Sequence, residues 1–307
     1  MTLVKAAQEN DVVLVKKLIK DASLETKNKA LQTLCKKGHI KIIKLFFENH
    51  KINHSHLLHA NYYKNFEVVK YLIGKGLDIN KEDHKNRTPL QIACFNGNLQ
   101  IAKYLIENGA DINKEDFKNR TPLYLATLIE HSDIVKLLIK NGADVNKASV
   151  NQETPLYEAA FFGNFKLVKL LIKNGADLNK TNINHESPLS VAIQNEYFEI
   201  VKLLIKNGVR INGRFDTRKT LYLSLIDKTC CEEDILKKSY SPRKKQIAHL
   251  LLMLDPMLFI DIQAGLFFDS SVNSYYSEVS TFRFEPKQKM LNDLKLKKLT
   301  DCFIQIK

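Results

Sequence analysis

The chain repeats itself every 33 residues, and this period restricts its possible folds more than any other feature of the sequence. Four copies of a Thr-Pro-Leu or Ser-Pro-Leu triplet occur at that spacing, beginning at Thr88, Thr121, Thr154 and Ser187. Five glycines occupy a second phase of the same period, at Gly76, Gly109, Gly142, Gly175 and Gly208. A fixed period of this length is typical of solenoids, in which each repeat packs mainly on its two neighbours.

The residue types of the repeat predict two helices and a loop. A hydroxyl residue directly before proline favours a helix start, because the hydroxyl accepts a hydrogen bond from a free backbone N–H and the proline has no N–H to leave unpaired. A second helix is predicted for stretches such as residues 134–139, in which Lys136 faces outward and the apolar residues pack. Glycine after asparagine suits the left-handed residue that ends a helix. The Asp-Ile-Asn-Lys-Glu-Asp segments are then expected to form a turn or finger before the next repeat.

This arrangement resembles the ankyrin repeat, whose first helix carries the motif Thr-Pro-Leu-His-x-Ala. Four copies match it closely, at residues 88–93, 121–126, 154–159 and 187–192. The resemblance implies an all-α solenoid of stacked helix-turn-helix units with finger loops. The histidine of the family motif, which helps to tie neighbouring fingers by hydrogen bonds, is absent from all four copies. Either Tyr124 and Tyr157 substitute for it, or the ties between fingers are weaker.

Less regular copies extend the array in both directions. Residues 55–73 form a repeat in phase without its proline, and two earlier copies precede it. Downstream, Thr220 begins a further copy, whose second helix from Gln246 follows an insertion near residues 228–245. We therefore predict an array of about eight repeats over residues 1–255. Residues 256–307 do not follow the period, and both a C-terminal capping segment and a small extra module are compatible with them.

Ankyrin proteins bind partners through a concave surface, built from the finger tips and from the residues that follow the alanines of each first helix. The resemblance assigns to this surface apolar residues in the centre of the array and polar residues, such as Gln8 and Asn195, at its ends. A contiguous apolar patch with a polar rim is typical of protein interfaces, in which aromatic side chains are frequent anchors. The predicted partner-binding residues are Tyr62, Tyr63, Phe95, Phe117, Leu128, Ile129, Val150, Phe161, Phe162 and Ile183.

Composition indicates a soluble intracellular protein. Lysine and arginine number 47 against 34 aspartate and glutamate, a formal net charge of +13, which permits a polyanionic partner without requiring one. The five cysteines are odd in number and show no Cys-x-x-Cys spacing, which favours a reducing compartment. The first residues lack the apolar core of a signal peptide, and the longest apolar run, residues 250–254, is too short for a membrane helix. We expect a cytoplasmic monomer without a transmembrane segment.

Other classes of site have less support. Four histidines from His50 to His59 have no cysteine or carboxylate at metal-site spacing, and Cys230, Cys231 and His249 lack an orienting third group. Phosphate-binding loops and nucleophilic-serine motifs are absent from the sequence. We therefore expect no catalytic residue, no cofactor and no metal ion. The lysines of the second helices form regular exposed ridges on the side opposite the aromatic residues, a pattern that does not favour nucleic acid.

The sequence thus predicts a non-catalytic scaffold, adaptor or inhibitor that binds a protein partner through the concave ankyrin surface. Two alternatives remain open. One is a ubiquitin-ligase adaptor or effector whose activity lies in residues 256–307, and the other is a polyanion binder, for nucleic acid or anionic lipid, that uses the lysine ridges. Arrays of this kind, rich in Lys, Asn and Ile, are common in intracellular bacteria, large viruses and protists. A secreted effector that acts in the host cytoplasm is therefore one interpretation.

Overall fold

A computed structural model describes residues 2–49, 53–210 and 246–247. This part of the chain contains fourteen α-helices and no strand, which confirms the predicted all-α class. The helices form seven consecutive pairs, each with a first and a second helix. Their bounds are Leu3–Gln8 (α1), Val12–Leu18 (α2), Leu24–Lys37 (α3), Ile40–Asn49 (α4), His54–Tyr62 (α5), Phe66–Gly74 (α6), Pro89–Phe95 (α7), Leu99–Glu107 (α8), Pro122–Leu128 (α9), Ser132–Lys140 (α10), Pro155–Phe161 (α11), Phe165–Lys173 (α12), Pro188–Gln194 (α13) and Phe198–Lys206 (α14).

The Thr-Pro and Ser-Pro sites begin four of the first helices, as predicted. The hydroxyl oxygen before each proline accepts a hydrogen bond from the backbone N–H three residues on, over 3.1–3.3 Å. In α7 the Gln91 side chain also accepts a bond from the backbone N–H of Thr88 at 2.7 Å, which completes a capping box. The helix starts are therefore fixed locally, by the motif itself.

The copy without a proline starts its first helix differently. Helix α5 begins at His54, and its N-cap residue is Asn53, whose side-chain oxygen accepts from the backbone N–H of Ser55 at 3.1 Å. In the copies with a proline the first helix begins at that proline, and the equivalent position in this copy is His56. Because no proline fixes the start there, α5 extends two residues further toward its N-terminus.

Helix ends follow the glycine phase. The five glycines of this phase have φ angles of 84–88°, in the left-handed region that favours a residue without a side chain. From Asn108 onward, the asparagine before each of these glycines also donates its side-chain N–H to the carbonyl four residues earlier, over 2.7–2.8 Å. The predicted Asn-Gly helix termini are thus confirmed.

Packing follows the order of the chain. From α1 to α11, each first helix contacts the first helix of the next repeat, and every described first helix also packs on its own second helix. The leucines of the Thr-Pro-Leu and Ser-Pro-Leu motifs are at most 1% exposed, at Leu90, Leu123, Leu156 and Leu189. Side chains of the second helices, such as Val135 and Leu138, are fully buried as well. The apolar core therefore runs continuously through the repeats, and neighbouring repeats bury each other's apolar faces.

A row of asparagines ties each finger loop to the next. The side-chain oxygen of each accepts a hydrogen bond from a backbone N–H 31 residues on, over 2.7–2.9 Å. In addition, Asn146 donates from its side chain to the carbonyl of Gly175 at 3.1 Å. Earlier in the chain, His54 Nε2 plays the same part and accepts from the backbone N–H of Asp78 at 3.0 Å. We call Asn80, Asn113, Asn146 and Asn179 the asparagine ladder.

Three predictions fall outside the described residues. These are the eighth repeat, of which only Gln246 and Ile247 are described, the insertion near residues 228–245, and the capping segment or module at 256–307. The domain boundary after residue 255 likewise stays a prediction. Within the described ranges, no helix has the length and apolar character needed to cross a membrane.

Candidate protein-binding surface

The C-terminal ends of the first helices carry seven of the ten predicted partner-binding residues. Each is the last residue of its helix or the cap residue that follows. Because α5, α7, α9 and α11 pack in chain order, these ends follow one another along the array. We call the set the apolar stripe: Tyr62, Tyr63, Phe95, Leu128, Ile129, Phe161 and Phe162.

Most of the apolar stripe is open to solvent. Six of its seven side chains are 38–56% exposed, and Leu128 is half-buried. The equivalent positions toward both ends of the array are exposed and polar, at Gln8, Glu9, Lys36, Lys37, Gln194 and Asn195. The structure therefore brings the predicted residues together into an apolar strip with polar ends. Exposed apolar area of this kind marks interaction surfaces in many proteins.

Phe161 and Phe162 are held firmly at the end of α11. Their rings meet edge to face, with centroids 5.1 Å apart, and the Phe161 ring also stacks on Tyr157 at 6.3 Å. The Tyr157 hydroxyl is itself fixed, because it donates to the Glu186 carboxylate of the next finger at 2.9 Å. Asn195 of the following repeat donates to the backbone carbonyl of Phe161 at 3.0 Å. Contacts within the array therefore hold both rings in place in the absence of a partner.

Tyr62 and Tyr63 form a second aromatic pair at the end of α5. Their rings also meet edge to face, at 5.2 Å between centroids. The ammonium group of Lys36 lies 5.1 Å from the centre of the Tyr63 ring, within range of a cation–π contact. Asn96 donates to the carbonyl of Tyr62 at 3.3 Å, as Asn195 does for Phe161. The two aromatic pairs are therefore built in the same way on different repeats.

The other three predicted residues lie at the finger tips. Phe117, Val150 and Ile183 are each more than half exposed, and we call them the fingertip row. The backbone N–H of each donates to a carbonyl of the preceding finger, over 2.9–3.3 Å, so that the row joins four successive fingers. The three residues therefore occupy the same position of successive repeats. The backbone of each is held by a hydrogen bond to the preceding finger.

In the first three copies of the motif, the position of the family histidine still ties neighbouring repeats together. Gln91 donates from its side-chain nitrogen to the carbonyls of Lys114 and Arg120, at 2.9 and 2.8 Å. Tyr124 and Tyr157 reach the next finger through their hydroxyls, which donate to Glu153 at 3.2 Å and to Glu186 at 2.9 Å. Of the two alternatives left open by the sequence, the first is confirmed, because tyrosine substitutes for the missing histidine.

A buried carboxylate next to this tie was missed by the sequence analysis. Glu158 on α11 is only 7% exposed, and it accepts a hydrogen bond from the Tyr124 hydroxyl. The signal was present in the sequence, because Ile92, Leu125 and Val191 occupy the same phase of the repeat. Burial raises the pKa of Glu158 above its usual range and the nearby Glu153 adds to this, against the Tyr124 bond and Arg120, which lower it.

Neutralising this carboxylate is expected to stabilise the array at neutral pH. A pKa that is higher in the folded than in the unfolded chain means that Glu158 favours folding at low pH, and that this contribution is lost as the pH rises through the folded-state pKa. Glu158→Gln should therefore raise the melting temperature at pH 8 by a few degrees, and by less at pH 5. Thermal denaturation followed by circular dichroism measures both. Glu130→Gln, on an exposed side chain in the turn after α9, is the control. A lower melting temperature for Glu158→Gln at pH 8 would contradict the expectation.

The described members of the histidine cluster make local hydrogen bonds. His59 Nδ1 lies 2.6 Å from the carbonyl oxygen of Ser55, and His56 Nδ1 lies 3.3 Å from the backbone of Asn53. His54 accepts from Asp78, as described above. In the part of the chain that the structure describes, no group of three or more histidine, cysteine, aspartate or glutamate side chains is arranged to hold a metal ion.

Comparison with known families agrees with this architecture. The family model for ankyrin repeats matches three overlapping segments, residues 3–83, 57–149 and 145–215, which together span more than half of the chain. The chain belongs to the ankyrin repeat family. No curated protein matches it significantly. Ankyrin repeats are in general protein-interaction modules. An exposed apolar stripe is consistent with that role.

Proposed function

We propose that this ankyrin array binds a protein partner through the apolar stripe and the fingertip row, as a non-catalytic scaffold, adaptor or inhibitor. The observation that carries the proposal is the apolar stripe, with large apolar side chains exposed at the same position of successive repeats. Polar side chains at both ends of the stripe would form the rim of such an interface.

The aromatic pairs give this surface the properties of interface anchors. Burying the exposed part of one ring on a partner contributes about 1 kcal/mol, and binding also has to overcome the loss of side-chain freedom. Phe161 and Tyr62 have their backbones fixed by asparagines of the next repeat, and Phe161 is stacked on an anchored tyrosine. Because these groups are already ordered, less free energy is lost when they bind.

The test is capture of a partner from cell lysate by the full-length chain at low and high salt. The comparison variant carries alanine at Tyr62, Tyr63, Phe161 and Phe162, and circular dichroism first establishes that both proteins are folded. We expect a protein that wild type retains at high salt and the variant does not. Capture that survives the four alanines but disappears with salt would contradict the proposal and favour the basic ridges. Capture that survives both would favour residues 256–307 as the binding module.

A further inference from the structure

One second helix differs in charge from its counterparts. Among the second helices from α6 to α14, α6, α10 and α14 carry the acidic residues Glu67, Asp133 and Glu199 at their second position, and α8 carries a glutamine. Helix α12 carries Lys166 instead, so that its nine residues include three lysines and no acidic residue. The earlier helix α4 carries Lys41 at that position. The lysine ridge expected from the sequence is therefore not uniform, and among α6 to α14 the net positive charge is greatest on α12.

A groove lies beside these lysines. It is open to solvent, has a volume of about 360 Å³, and is lined by residues of α10 and α12. Lys136 enters it from α10, and Lys166, Lys169 and Lys173 line it from α12. Leu167, which is buried, and Leu170, which is half-buried, also line the groove and form its apolar part.

The charge in the groove is largely uncompensated. Lys136 has an ion pair with Asp133 at 3.1 Å, but both side chains are mostly exposed, so that the pair holds Lys136 only weakly. Among the described residues, no acidic side chain lies within ion-pair distance of Lys166, Lys169 or Lys173. The groove thus combines four lysine ammonium groups with the apolar side chains of two leucines. This combination suits an anionic ligand that also has apolar parts.

We propose that the groove between α10 and α12 binds an acidic peptide segment of a protein partner, with carboxylates facing the lysines and apolar side chains on Leu167 and Leu170. The groove fits a peptide better than nucleic acid, because its lining contains no aromatic ring on which a base could stack. It also fits a peptide better than a lipid surface, since its leucines lie recessed beneath the lysines instead of projecting. This inference is independent of the apolar stripe, which is built from the first helices.

Lys166→Glu tests the proposal with little risk to the fold. Glutamate already occupies this position in α6 and α14, and an acidic residue in the first turn of a helix is favourable. The matched control is Lys206→Glu in α14, an exposed lysine outside the groove that gives the same change in net charge. The probe is a fluorescently labelled peptide in which leucine alternates with pairs of glutamates, titrated with the full-length chain and followed by fluorescence anisotropy.

We expect the probe to bind wild type and Lys206→Glu equally, and Lys166→Glu about tenfold more weakly, because one attractive contact becomes repulsive. The same peptide with glutamine in place of glutamate should bind at least as weakly. Absence of binding to wild type, or an equal loss in the two variants, would overturn the proposal. It would also be overturned if a single-stranded oligonucleotide or phosphatidylserine vesicles bound at this groove, with loss in Lys166→Glu alone, and the peptide did not compete.

Discussion

Replacing Phe161 and Phe162 together with alanine is expected to weaken partner capture by at least about tenfold, while the array stays folded. Each ring is a little under half exposed, so each retains a large apolar area for a partner to cover. Each ring contributes about 1 kcal/mol to binding, because its neighbours already hold it in place. Loss of both rings corresponds to a factor of ten or more in affinity. Titration of the captured partner against wild type and the double variant measures the effect.

The control for this pair removes apolar surface elsewhere. Val13 and Leu24 are 80% and 65% exposed and lie outside the apolar stripe, so a variant with alanine at both should bind as wild type does. Circular dichroism of the Phe161/Phe162 variant should show the wild-type helix content. Marked unfolding of that variant would show that the rings belong to the core, and unchanged affinity would remove them from the interface.

Leu123→Ala is expected to have the largest effect on stability. Leu123 is fully buried in α9, in the middle of the described array. Removing a buried leucine side chain costs about 2–5 kcal/mol, through lost burial and the cavity that remains. Because each repeat is stabilised by its two neighbours, weakening a central repeat also weakens its contacts with both sides. Urea denaturation followed by circular dichroism should show a clearly lower midpoint.

Leu128→Ala on the same helix provides the matched comparison. The substitution is identical, but Leu128 is half-buried at the helix end, and we expect it to lower the free energy of unfolding by only about 1 kcal/mol. At temperatures where both variants are folded, Leu123→Ala should bind the partner with wild-type affinity, because its side chain is inaccessible. Similar denaturation midpoints for the two variants would contradict the assignment of Leu123 to the core and of Leu128 to the surface of α9.

The parts of the fold that recur with the period could be predicted from the sequence. Helix starts at Thr-Pro, left-handed glycines at helix ends and outward lysines all depend on local backbone chemistry, which the residue types determine within a few positions. The exposure of residues such as Phe161 also followed from the period, because equivalent positions of a stacked repeat have equivalent surroundings. Their role in binding a partner stays a prediction.

The remaining features depend on contacts between repeats. The phase of Glu158 showed that it departs from an apolar position, but its partner Tyr124 lies 34 residues earlier and is brought to it only by stacking. Lys166 was not singled out from the sequence, although acidic residues occupy its phase in α6, α10 and α14, and the groove beside it requires the packing of α10 and α12. The start of α5 depended on the absence of one proline, because Asn53 caps the helix there, two residues before the position equivalent to the cap of the first helices that begin at a proline. Single departures from the period therefore show where one repeat differs from the others, without revealing the geometry that results.

The asparagine ladder has a consequence for how such an array can change in length. Each hydrogen bond of the ladder, which we call a rung, joins an asparagine side chain to a backbone N–H 31 residues on. Successive rungs are 33 residues apart. Duplication or excision of a whole repeat therefore leaves a complete set of rungs, with a new junction equivalent to the old ones. A gain or loss of any other length shifts the donors away from the asparagines, and the finger then needs a different acceptor, as His54 provides 24 residues before Asp78. The ladder thus allows growth of the array by tandem gene duplication in whole units, and acts against small insertions within a finger.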